Sequence, residues 1–292
     1  MELKVYRSIN DCARLWNHFT PNQHMFDSWD YRACFYDRQE AKPHFIVGRN
    51  KRKIVGVIPL AYSKKDNDYS YFGGWFPERN SFFFNDKSKL GNLLNECPDK
   101  TLIEGIDPKE AKYYNFSEDQ YTYYIDLAKY GYNFEKYFNS FEKKKQKNFR
   151  SDLKKIPDYK VYYNRTRDFK RLVQLNIKQF EDDSVYKLEW LKRGVKKMIL
   201  AAQKKRTLQM ISVEVNGKVE AVDVGFKHKN WYHVLTGSAN NQKIPNIGKL
   251  MVVLDIQNAI AKKVRYVDFL SSCDHWKKQW GFDRQMLFKF QK

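Results

Sequence analysis

Residues 231–282 read WYHVLTGSANNQKIPNIGKLMVVLDIQNAIAKKVRYVDFLSSCDHWKKQWGF, and this stretch decides the fold. Trp231 to Thr236 is strand-like. A polar loop follows, and a helix opens at Pro245-Asn246-Ile247-Gly248 and continues to Lys262. Arg265 to Leu270 forms a second strand, and Asp274 to Trp280 a helix bearing Lys277 and Lys278. A helix start offers unsatisfied N–H groups and a partial positive charge, so this order of elements suits a phosphorylated carrier.

Working outward, Leu208 to Val215 and Val219 to Phe226 form a hairpin around Asn216-Gly217, a pair that favours the tight primed turns. Upstream lie a short strand, Lys160 to Tyr163, and two amphipathic helices. Phe169, Leu172, Ile177 and Phe180 mark the first, and Leu191, Val195, Met198 and Ile199 the second. The N-terminal half repeats this order. Leu3 to Tyr6 is extended, and Asn10 to Phe19 and Ser28 to Gln39 are helical. His44 to Gly48 pairs with Ile54 to Ala61, and Tyr69 to Gly73 is a strand. Then come the helix Lys87 to Asn95, the strand Thr101 to Glu104, the helix Pro108 to Tyr114 and the strand Tyr121 to Leu127. The expected class is α+β with a mixed sheet, in two units, 1–131 and 158–292, joined by a basic helix over 132–157.

That linker carries Phe134, Phe138, Phe141, Phe149, Leu153 and Ile156 on one face, interrupted by Glu142-Lys143-Lys144-Lys145-Gln146-Lys147-Asn148. Lys145 lies four residues from both Phe141 and Phe149, where an apolar side chain belongs. Either it snorkels to the edge or this face looks into a polar cleft that holds an anion.

The chain has 292 residues, 42% of them hydrophobic and 16% aromatic, which is ample for packed cores and excludes a disordered protein. No apolar run reaches membrane-spanning length and no leader precedes the first strand, so the expected location is the cytoplasm. Four scattered cysteines and six histidines without metal-ligand spacing predict free thiols and no metal. Fifty-four Lys and Arg against thirty-four Asp and Glu give +20, a field that attracts phosphates, nucleic acid or anionic lipid.

The order of elements in each half resembles the GNAT acyltransferase fold, and two such units joined by a basic helix resemble the FemAB-type and CelD/BcsL-like transferases. The residues that carry the resemblance are DFLSSCDHWKKQWGF (268–282), PNIGKLM (245–251), KKKQKNFRSDLKKI (143–156) and VNGKVEAVDVGFKHKNWYHVLTG (215–237). It covers residues 132–292 and is loose before them. Two departures stand out. The pyrophosphate loop keeps one glycine, Gly248, which puts coenzyme A in question. Ser271-Ser272-Cys273 stands where the family has a glycine.

The resemblance implies that two strands splay apart and admit a pantetheine arm, with donor contacts from Val234, Leu235, Thr236 and Gly237 and from Asn246, Ile247, Gly248 and Lys249. A backbone N–H of the first group would polarise the thioester carbonyl. Asp223 shares its strand face with Ala221 and Gly225, so a half-buried carboxylate there is a candidate general base. The alternative is a carboxylate paired with a neighbouring lysine. Lys277 aligns with a cation that stabilises charge during transfer in relatives, or is a plain surface lysine. Asp268 ends a strand, where sites gather in α/β sheets, or caps the following turn. His233 reads as a sheet-face histidine, and Trp276 and Trp280 as packing residues. Cys273 is a possible nucleophile with no evident base nearby.

These features point to an acyltransferase using acetyl-CoA or another acyl-CoA, with the acceptor in the cleft between the halves beside Lys145 and Arg150. The acceptor would be a small molecule or a cell-envelope precursor bearing an amine or hydroxyl, and the first unit a degenerate partner that shapes its site. Two alternatives stand beside this. One is a FemAB-like transferase with aminoacyl-tRNA as donor, which the charge favours. The other is a non-catalytic basic module that binds nucleic acid or envelope phosphates.

Overall fold

A computed structural model of the chain describes all residues except Arg38, Ser272 and Cys273. In chain order its elements are β1 (Glu2–Tyr6), α1 (Ile9–Phe19), α2 (Trp29–Arg32), β2 (Ala41–Asn50), β3 (Lys53–Ser63), β4 (Asp68–Tyr71), β5 (Phe83–Phe84), α3 (Leu90–Leu94), β6 (Thr101–Ile106) and β7 (Ser117–Asp126). There follow α4 (Phe134–Phe138), α5 (Lys143–Lys154), β8 (Tyr159–Tyr163), α6 (Phe169–Phe180), α7 (Glu189–Lys204), β9 (Leu208–Val215), β10 (Lys218–His228), β11 (Trp231–Ala239), α8 (Ile247–Ala261), β12 (Tyr266–Asp268), α9 (Asp274–Gln279) and β13 (Asp283–Gln291). The class is α+β, and strand, helices, antiparallel strands, helix and strand do occur twice.

Two compact units result: residues 1–122 with 285–292, and residues 123–284. In the first, β1, β2, β3 and β4 are antiparallel neighbours, and β6 joins β4 in parallel through Tyr69↔Thr101 and Ser70↔Leu102. The chain's last strand, β13, then pairs antiparallel with β6. In the second unit β8, β9, β10 and β11 are antiparallel neighbours, β12 joins β11 in parallel, and the end of β7 pairs antiparallel with β12. Each half of the sequence thus gives its closing strand to the unit built by the other half.

The first core gathers around Trp16, which meets Trp29, Phe45, Tyr71, Phe72 and Phe83 at ring distances of 4.9–6.2 Å. In the second unit α6 packs on β10 and β11, and α8 packs on β9, β10, β11 and β12. Helix α8 is apolar nearly all round because it is covered by the sheet and by Leu153 and Ile156 from the end of α5 and just beyond it. The β9–β10 turn has Asn216 at φ 50° and Gly217 at φ 73°, the primed geometry that Asn-Gly predicts.

Several expected elements differ. The linker is two helices: Asn139 and Ser140 end α4, where the Ser140 hydroxyl donates to the Tyr137 carbonyl at 2.6 Å and competes with helical pairing. Glu142 is extended, and α5 restarts beyond it. Pro108 to Tyr114 forms only a 3₁₀ turn, Glu110–Lys112, and the described residues of Ser28 to Gln39 hold only α2 and a second such turn, Ala33–Phe35. Among the described residues no helix is long and apolar enough to cross a membrane, and no cluster of His, Cys, Asp and Glu could hold a metal.

Candidate functional site

The register of β12 on β11 ends at His233↔Asp268, yet β11 continues to Ala239. β12 ends at that pair, so from Val234 to Gly237 the described strand pairing of β11 is with β10 alone. The register on β10 also skips one residue here: Val224 pairs with Thr236 and Gly225 with Val234, so Leu235 is a bulge in β11 itself. Tyr186 closes the α6 side of β11 with a hydroxyl donated to Thr236 Oγ1 at 3.1 Å.

Asp223 lies on this part of the sheet. It is registered opposite Gly237, and a Cβ at Gly237 would come within 1.8 Å of Asp223 Oδ1. The missing side chain of Gly237 is thus the space that the carboxylate fills, on the part of β11 that runs beyond β12. Asp223 is half-buried, and burial pushes its pKa up to about 6, against a bond from Asp255 that lowers it. No lysine pairs with it among the described residues. Its partner is a second carboxyl, Asp255 of α8, fully buried and itself bonded by the Tyr232 hydroxyl at 2.5 Å.

The start of α8 is occupied from within the chain. Asn246 is left-handed at φ 69°. The N–H of Ile247 donates to Ile244 O at 3.3 Å, that of Gly248 to Asn241 Oδ1 at 3.1 Å, and that of Lys249 to Asn246 O at 2.9 Å. The Lys249 ammonium meets Asp152 of α5 at 2.6 Å. Glu220 of β10 fixes the loop before α8. Burial opposes its ionisation, but Asn240, Lys243 and Arg171 bind it and hold its pKa below the ordinary value. An anion at this turn has to displace the Asn241 carboxamide to reach the Gly248 N–H.

Lys277 is not a surface lysine: it is 2% exposed, and its ammonium donates to the carbonyls of Leu270 at 2.9 Å and Ser271. Asp268 is fully buried. One of its oxygens accepts the Leu270 N–H at 2.8 Å, and the other lies 3.4 Å from His233 Nδ1. Asp268 therefore shapes the turn after β12, where Leu270 is left-handed at φ 59° one position before the serine pair. His233 is a buried sheet residue stacked on Trp231. Trp280 packs on Phe149, and Trp276 meets Phe269 edge-on. Cys273, and with it the idea of a cysteine nucleophile, lies outside the described residues.

Lys145 and Arg150 sit on α5, five residues apart. The Lys145 ammonium lies 4.1 Å from the Phe141 ring centre and 5.8 Å from that of Phe149, with its pKa lowered by burial. Arg150 pairs with Glu135 at 2.9 Å and stacks over Phe138. Each is thus engaged by α4, α5 or the segment between them.

Sequence reading missed Asp255, Tyr232 and the role of Gly237. A signal for Asp255 was present: it is the single acidic residue in a mostly apolar helix, Ile247–Ala261. Nothing in the sequence marks Tyr232 as its donor.

Residues 143–278 match the acetyltransferase (GNAT) domain family. No curated protein matches the sequence. The fold is similar to that of FemX, 13% identical over 99% of this chain and 96% of that one, with a TM-score of 0.60. It is also similar to a tandem GNAT protein from the clavulanic acid biosynthesis pathway, 10% identical over 99% and 98% of the chains, TM-score 0.55. A GNAT-family acetyltransferase from Colwellia psychrerythraea is 9% identical over 99% and 98%, TM-score 0.52. At these identities the likeness speaks for the fold. Residues 143–278 thus match the GNAT acetyltransferase domain family, and the whole chain is similar in fold to a tandem GNAT protein.

Proposed function

We propose that the second unit moves an acyl group from a thioester carrier, acetyl-CoA or another acyl-CoA, to an amine. The end of β12 at His233↔Asp268 carries this reading, because β11 runs on beyond it with one edge outside the described ladder, beside a half-buried carboxylate. The carrier arm lies along Val234–Gly237, with a β11 N–H donating to the thioester oxygen as negative charge develops there. The acceptor nitrogen attacks the carbonyl carbon, the C–N bond forms, the C–S bond breaks and the thiolate leaves. Asp223 takes the proton that the nitrogen loses. A base at about 6 is ionised at neutral pH yet holds a proton more readily than an exposed carboxylate. Lys277 and Asp268 act at one remove, by fixing the turn that ends β12. The reaction would take place in the cytoplasm, where such carriers are made.

A second reading has aminoacyl-tRNA as donor. Two observations favour it: the α8 amides at 247–249 already have partners, and α5, within the candidate site's own unit, exposes Lys143, Lys144 and Lys147. In this case the ester carbonyl of the tRNA terminus replaces the thioester, and the acceptor is a cell-envelope precursor amine.

A thermal-shift comparison separates the two, since a ligand that binds the native state raises Tm. On the first reading acetyl-CoA raises Tm, bulk tRNA does not, and thiol release from acetyl-CoA is stimulated by amines such as polyamines, amino sugars or lysyl peptides. Stabilisation by tRNA alone selects the second. No effect of either carrier refutes both.

The pH dependence follows from Asp223. Transfer rises with pH through about 6, as the base loses its proton, and levels above. Stability runs the other way. A carboxyl whose folded pKa is raised favours folding most below the ordinary carboxylate range, and that contribution is lost as pH rises through about 6. Melting curves between pH 4 and 7 should fall less steeply in Asp223→Asn than in wild type.

A further inference from the structure

Asp255 has no place in the mechanism so far, and its surroundings make an ionised carboxylate costly. It is fully buried in the middle of α8, between Leu254 and Ile256, beneath the sheet. The groups that face it are Tyr232 of β11 and Asp223 of β10. Beside them, Asn258 of α8 is tied to Gln209 of β9 at 3.0 Å. No cation is among the charges that act on it. One oxygen, Oδ1, accepts the Tyr232 hydroxyl at 2.5 Å. The other, Oδ2, meets no donor among the described residues, although the Asp255 and Asp223 carboxyls are in hydrogen-bonding contact. Two carboxylates carry only acceptors, so this contact exists only if one of them holds a proton. Asp255 is sealed from water while Asp223 is not, and the proton belongs on the group with the worse hydration.

We propose that Asp255 is a positioning residue: it remains a neutral carboxylic acid at physiological pH and donates its O–H to Asp223. A chain of donors then runs from Tyr232 O–H to Asp255, and from Asp255 O–H to Asp223. It ends on the carboxylate that overlies Gly237. A carboxylic acid kept neutral by an apolar site is a competent hydrogen-bond donor. Its bond fixes one Asp223 oxygen and leaves the other for the acceptor's proton. This role for Asp255 rests on the reading of Asp223 as the base, but its protonation state does not.

Difference infrared spectroscopy against Asp255→Asn tests the protonation directly. The wild-type protein should show, at pH 7.5, a protonated-carboxyl C=O band that persists above pH 8, and Asp255→Asn should lack it. Absence of the band at pH 7.5, or its survival in Asp255→Asn, overturns the proposal. The pH profile of transfer tests the coupling. Asp255→Asn keeps a donor toward Asp223 and an acceptor for Tyr232, so its acid limb stays within a few tenths of a unit. Asp255→Leu keeps volume but no donor, so its limb moves up by about one unit. A merely structural Asp255 would lower Tm in both variants and leave both limbs in place. If Asp255→Leu fails to fold, the infrared comparison decides alone. Full activity in Asp223→Asn would refute the base while leaving the infrared result to judge Asp255.

Discussion

Asp223→Asn lowers the transfer rate by about 10²- to 10⁴-fold, the usual range for a lost general base, in a protein that still folds. The packing argument is specific. Asparagine keeps the volume beside Gly237 and can still accept from Asp255, so only the capacity to take a proton is lost. Gly237→Ala provides the complementary test. Its Cβ would fall 1.8 Å from Asp223 Oδ1, and since both residues are fixed in the β10–β11 register, the carboxylate has to swing away. Its rate should fall as in Asp223→Asn, with a lower Tm as well, because the displaced carboxylate leaves its Asp255 donor unmatched. Steady-state kinetics with thermal melts on both variants check this. A fully active Gly237→Ala would show that the carboxylate is not needed where it lies.

The second large effect belongs to Lys277. Replacing it by Met removes an ammonium donating to two carbonyls at the end of β12, in a position 2% exposed. Hydrogen bonds to charged groups contribute about 1.5–3 kcal/mol each, and the stranded carbonyls add to the loss. Removal of a buried charge offsets part of it. The expected outcome is about 2–4 kcal/mol of destabilisation by denaturant titration, with transfer reduced because the Leu270 turn relaxes. Lys277→Arg should not rescue it, since the planar fork has no room in a buried position built for a compact ammonium. A variant as stable as wild type would mean that the two carbonyls are satisfied in some other way.

What could be read in advance follows from how locally each feature is encoded. The β9–β10 hairpin was legible because Asn216-Gly217 demands positive φ and the flanking residues alternate. The face shared by Asp223, Ala221 and Gly225 was legible for the same reason. Alternation also gave β12 and β13, but it says nothing about which sheet edge a strand joins. The exchange of β13 onto β6 and of β7 onto β12 was therefore hidden. The break in the linker was hidden too, since the phenylalanine spacing persists across Asn139–Glu142 while local side-chain bonding ends the helix. Lys277 read as a surface cation because its partners are main-chain carbonyls, which leave no mark in a sequence. The α8 start read as an open anion site because a Pro-Asn-x-Gly opening does not disclose that Asn241, seven residues earlier, caps Gly248.

The central claim is that the acyl carrier's arm enters where β11 runs on beyond β12. Photo-crosslinking tests it most directly, with acyl-CoA and aminoacyl-tRNA analogues carrying a diazirine in the acyl group, followed by peptide mapping. Labelling should fall on Val234–Gly237, be competed by the unmodified carrier, and disappear in Gly237→Trp, whose side chain fills the gap. Competed labelling elsewhere, with 234–237 untouched by either analogue, would contradict the account.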